Sequence, residues 1–149
     1  MLNKKIAGYF HSGRSINGQT ETLYEWRVTT DFLNVAQAIA RELGGDVRAL
    51  ENSRHDRWEV LTGSPAVEVV VIQAGGGTVS FTLPMEPDIG AFSFSSNMWN
   101  REQISQLSAV GDSHSVRCEL RLRPVEFKTQ TGLTVLYILP SIEMVNSGV

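Results

Sequence analysis

A chain of 149 residues is long enough for one domain that buries a core without cross-links. Its 13 basic residues against 16 acidic ones exclude a generally basic nucleic-acid coat, and the single Cys118 excludes an intrachain disulfide or a Cys-pair zinc motif. No apolar run approaches the roughly 20 residues that span a bilayer, and no signal-peptide core follows Lys4-Lys5, so a soluble, cytoplasmic protein is expected.

In chain order, residues 6–10 and 23–29 read as two strands. Between them, Gly13, Asn17, Gly18 and several hydroxyl residues give residues 12–22 the chemistry of a long, polar hairpin tip. Tyr24, Trp26 and Val28 alternate with Glu25 and Arg27, which places the aromatics on one sheet face. Thr29, Thr30 and Asp31 can cap a helix, and Phe32, Val35, Ala36, Ile39, Ala40 and Leu43 recur behind them at helical spacing. Gly44-Gly45 stops that helix after about 13 residues.

Residues 46–50 can form a short strand, and 51–57, including His55-Asp56, read as a solvated loop. Strands are expected at 58–62 and 66–72, joined by a Gly63-Ser64-Pro65 turn. Gly75-Gly76-Gly77 then turns into a strand at 79–83. Residues 84–100 show no steady period and read as irregular, with Phe92, Phe94, Met98 and Trp99 either tucked under the sheet or presented to a partner. A helical turn or two is expected within 101–110. Val116, Cys118, Leu120 and Leu122 alternate with charged residues in a further strand, with Pro124 at a bend or edge. Residues 129–132 turn into a last strand at 133–139. The expected architecture is a single α+β domain over residues 1–149: antiparallel sheet built from hairpins, with one main helix packed on a face.

Chemistry is sparse. There is no nucleophile elbow, Walker loop or His-Glu-x-x-His, and the glycine run lies between strands rather than before a helix. His114 and Cys118 make at most two ligands, which is no closed zinc site. No catalytic residue, metal or cofactor is therefore expected. The candidate partner-binding residues are Phe94, Met98 and Trp99, as apolar anchors, and the row Arg117, Arg121 and Arg123 on one strand face. The bland alternative for that row is the solvent face of a half-covered sheet.

One resemblance goes further. It rests on Lys5-Ile6-Ala7-Gly8-Tyr9, Ser12-Gly13-Arg14, Trp26-Arg27-Val28-Thr29-Thr30, Ile39-Ala40 with Leu43-Gly44-Gly45-Asp46-Val47, and Trp58-Glu59-Val60-Leu61-Thr62. This succession resembles the amino-terminal region of phage recombination directionality factors, the partners of large serine integrases, over about the first half of the chain. The resemblance implies a non-enzymatic protein that binds a DNA-bound serine integrase and redirects it from attP × attB synapsis to attL × attR excision. It implies little or no DNA binding by the factor alone, no small-molecule substrate, no membrane and, for a phage product, the host cytoplasm. The alternatives are another mobile-element interaction protein, such as an inhibitor of a host defence nuclease, and a nucleic-acid-binding module that uses the arginine row.

Overall fold

The computed structural model describes residues 6–16, 19–50, 57–96 and 116–145. Among them are nine strands and one α-helix: β1 (Ile6–Ile16), β2 (Gln19–Thr30), α1 (Leu33–Leu43), β3 (Val47–Ala49), β4 (Trp58–Leu61), β5 (Ala66–Gly75), β6 (Thr78–Thr82), β7 (Ala91–Ser95), β8 (Val116–Lys128) and β9 (Thr134–Met144). A 3-10 turn at Pro87–Ile89 precedes β7. All nine strands belong to one sheet, ordered β3-β4-β2-β1-β7-β6-β5-β8-β9. Neighbours are antiparallel except β1 and β7, which run parallel.

The expected α+β architecture is thus corrected to a sheet-dominated, mixed fold with, among the described residues, a single short α-helix. The physical reason is area. An eleven-residue helix is only about 16 Å long, and α1 packs its Val35, Ala36 and Ile39 stripe against β2, β3 and β4. The apolar face of the remaining strands must be covered by the sheet itself. It curls until β2 meets β8, five places away in the strand order.

Residues 62–65 close that seam. Thr62 N–H donates to the Trp26 carbonyl, Trp26 N–H to Ser64, and Leu122 N–H to Pro65. Inside the curl, Phe10 lies 5.0 Å from Phe81 and 5.6 Å from Phe92, edge to face, and Trp26 stands 4.9 Å from Phe94. Trp26 is fully buried, and its indole N–H donates to the carbonyls of Pro65 at 3.0 Å and Leu120 at 3.2 Å. One side chain therefore ties β2, the connector and β8 together.

Several local expectations change. The polar tip at 12–22 is largely strand among its described residues, paired from Gly13↔Thr22 to Ile16↔Gln19. Hydroxyl and β-branched residues such as Ser15, Thr20 and Thr22 suit a two-stranded ladder. Helix α1 begins at Leu33 rather than at the threonines. Thr30 Oγ1 instead accepts from Phe32 N–H and donates to the Ala7 carbonyl, while Phe32 sits exposed at the N-cap instead of in the apolar stripe. Residues 91–95, expected to be irregular, are β7. The expected helical turns within 101–110 lie outside the described residues. Pro124, by contrast, takes the edge position that was one of its two expected places: the last pairing of β8 with β5 is Ala66↔Arg121, and a missing N–H beyond that point breaks no described bond.

Candidate functional site

The alternation of β8 puts Cys118, Leu120 and Leu122 into the core and Arg117, Arg121 and Arg123 on the outer face, as expected from the sequence. The arginines are not a bare cationic row. Arg117 Nε lies 2.6 Å from Glu68 on β5, Arg121 Nε 2.6 Å from Glu119 on β8, and Arg123 Nη2 2.7 Å from Glu143 on β9. Arg123 Nε also donates to Ser141 Oγ at 3.0 Å. Each of the three guanidiniums faces a carboxylate, so an incoming phosphate competes with a built-in anion. Exposed pairs of this kind contribute little to stability and mainly level the local potential.

Phe94 is not a surface anchor. Only 2% exposed, it packs edge-on against Trp26 in the core, so it is withdrawn as a partner contact. The reason is its place in β7, where Phe92 and Phe94 both turn inward toward Phe10 and Trp26. Met98 and Trp99 lie outside the described residues.

The outer face of β1, β2 and β4 carries a polar cluster that sequence reasoning passed over. Arg27 Nε donates to Glu59 Oε2 across β2 and β4, with both side chains largely buried. His11 Nε2 lies 2.8 Å from Thr29 Oγ1. Burial, followed by the Arg27 charge, lowers the His11 pKa to about 4 against a partial opposing pull from Glu59. The ring is therefore neutral near pH 7. Only the Arg27-Glu59 alternation hints at this cluster, because its members come from three strands.

Beside it, a cavity of about 150 Å³ opens between β1 and the start of α1, lined by Gly8, Tyr9, Thr30, Phe32 and the Asp31–Arg57 pair. That is smaller than the roughly 300 Å³ at which ligand pockets begin. Cys118 is buried, and its thiol is pushed up to about 11 by desolvation, which leaves it protonated. Among the described residues no three His, Cys, Asp or Glu side chains converge as a metal site, and no helix is long and apolar enough to cross a membrane. Comparison of the chain with protein-family models, curated proteins and solved structures finds no match.

Proposed function

We propose that the chain is a non-enzymatic, directionality-factor-like protein that binds a large serine integrase and biases it toward attL × attR excision. The observation that carries the reading is the contiguity of the residues behind the resemblance. Spread from Ile6 to Thr62 among the described residues, they fall on the neighbouring elements β1, β2, α1, β3 and β4. A Cβ on Gly8 would lie 2.6 Å from the Thr29 carbonyl, and one on Gly45 would lie 2.0 Å from the Leu61 carbonyl. Arg27 and Glu59, one from each of two resembling segments, pair with each other. Residues that depend on one another in this way fit a shared fold element better than a chance succession of short matches.

The net charge of −3 and the glutamate-paired arginine row suit docking on a basic DNA-binding protein better than gripping DNA directly. A factor of this kind needs no catalytic group. It shifts direction by binding one integrase–DNA conformation more tightly than another, and a tenfold preference corresponds to about 1.4 kcal/mol.

The test is recombination in vitro with purified cognate integrase. Adding the protein is expected to raise attL × attR recombination, to suppress attP × attB, and to supershift integrase–DNA complexes without shifting DNA alone. Unchanged recombination in both directions, with no supershift, removes the reading. A salt-dependent shift of DNA by the protein alone would favour the nucleic-acid-binding alternative.

A further inference from the structure

Arg27 is the most deeply placed of the ion-paired arginines among the described residues. Its side chain is 16% exposed and that of its partner Glu59 10%, against 41% or more for the three arginines of β8. The ladders assemble its surroundings from three strands. His11 on β1 stands opposite Arg27, and Glu59 on β4 stands opposite Thr29, all on the face turned away from Phe10 and Val28.

The Arg27–Glu59 pair uses one atom of each group, with Nε donating to Oε2. Arg27 Nη1 and Nη2 and Glu59 Oε1 make no hydrogen bond among the described residues. The neutral His11 ring is engaged through Nε2 alone, against Thr29 Oγ1, which leaves Nδ1 in the same position. Buried polar atoms in native proteins are almost always bonded, to protein, water or a ligand. Water meets that need at the half-exposed β8 arginines. At Arg27 the Nε bond fixes the guanidinium plane, and the two terminal nitrogens form a fork held in place before anything binds to it.

Charge narrows what such a fork takes. Arg48 on β3 lies directly opposite Glu59, and Arg57, itself paired with Asp31, acts on the His11 ring. Arg27, Arg48 and Arg57 therefore stand against Glu59 and Asp31, leaving one positive charge over in a chain whose net charge is −3. A carboxylate brings one negative charge and two acceptors spaced for the two terminal N–H groups of a guanidinium. A phosphate brings about 1.5 to 2 negative charges beside the fixed Glu59, which repels it more strongly.

We infer that the Arg27 fork, steadied by Glu59 and flanked by His11, is a binding site for a single carboxylate group. The carboxylate comes either from an acidic side chain of a polypeptide or from a small organic acid. Binding here neither needs nor tests an integrase partner.

The experiment is ¹⁵N NMR titration of the full chain at pH 7 and constant ionic strength. The probes are sodium acetate, inorganic phosphate and a capped peptide of Gly and Glu. Acetate is expected to bind saturably, shifting the Arg27 Nε–Hε signal and amides within residues 9–11, 27–29 and 59–61. Arg27→Lys keeps the charge beside Glu59 but has no fork. It is expected to weaken acetate binding at least about 10-fold, the worth of one charge-assisted hydrogen bond. If that variant fails to fold, Arg48→Gln removes the surplus charge at an exposed position and is expected to give a smaller, salt-dependent loss. Tighter binding of the peptide than of acetate identifies a polypeptide source, and the reverse a small acid; either supports the site. Phosphate bound in preference to acetate overturns the carboxylate assignment. No saturable shift at these residues, or shifts unchanged in the variants, overturns the site and leaves Arg27 to solvent.

Discussion

At the scale of single residues, His11 shows how a side chain absent from any motif acquires a defined state. Opposite Arg27 in the β1–β2 ladder and against Thr29 Oγ1, it has a pKa of about 4 in the fold against 6.5 for the free side chain. Between those values the unfolded chain binds a proton that the folded protein does not. The contribution is therefore fully present above about pH 6.5 and is lost as pH falls toward 4. A shift of this size corresponds to at most about 3.4 kcal/mol, and to less for a ring that keeps some solvent contact. Urea titrations at intervals from pH 7 to pH 4 are expected to show stability falling more steeply in the wild type than in His11→Gln, which cannot titrate. Parallel slopes in the two proteins would show that the imidazole stays as accessible to protons as in the unfolded chain. Phe94 teaches the complementary lesson. A large aromatic in a serine-rich stretch resembles an exposed anchor in sequence, and only its neighbours Trp26 and Phe92 reveal it as core.

Among elements, helix α1 and its exit were legible, whereas β7 was not. The α1 stripe repeats at 3.6 residues and stops at two glycines, a signal contained within the element. In β7, Phe92 and Phe94 are separated by one serine and preceded by Pro87 and Gly90, so their inward alternation is too short to stand out. The ladders of β1 and β2 beyond residue 11 were masked by their hydroxyl residues. In the arginine row, alternation disclosed the shared face, but Glu68 and Glu143 come from other strands and could not be paired with it in advance. The α1 exit supports a direct test. Gly45 has φ +90 and a built Cβ would stand 2.0 Å from the Leu61 carbonyl, whereas Gly63, at φ +72, has nothing within 4 Å. Gly63→Ala is expected to cost only the left-handed backbone term, about 1–2 kcal/mol. Gly45→Ala adds displacement of β4 and is expected to cost at least about 2 kcal/mol more, read from urea midpoints. Equal losses would mean that the helix exit moves freely away from β4.

For the whole molecule, the decisive contacts join distant parts of the chain, and no local pattern announces them. The parallel pairing of β1 sets Gly8 against Phe92, and the Trp26 indole reaches the Leu120 carbonyl. A hairpin reading assumes that consecutive strands pair; here β4 and β5 are consecutive yet lie at positions two and seven of the sheet. The segment from β1 to β4 is thus half of a core rather than a domain. Phe10 packs on Phe81 and Phe92, Trp26 on Phe94, and each of those partners lies beyond residue 65. Cutting the chain after Pro65 would leave the two largest inward rings of β1 and β2 in water, with an eleven-residue helix covering only the other end of that half-sheet. Burial of each such ring contributes on the order of 2–3 kcal/mol, a large share of the 5–15 kcal/mol that typically separates folded from unfolded. A fragment of residues 1–65 is therefore expected to lack a cooperative thermal transition and dispersed amide resonances, whereas the full chain shows both. A sigmoidal melt of the fragment would establish it as a self-sufficient module, and the curl of the sheet across the Trp26 seam would then be an addition to the core rather than its foundation.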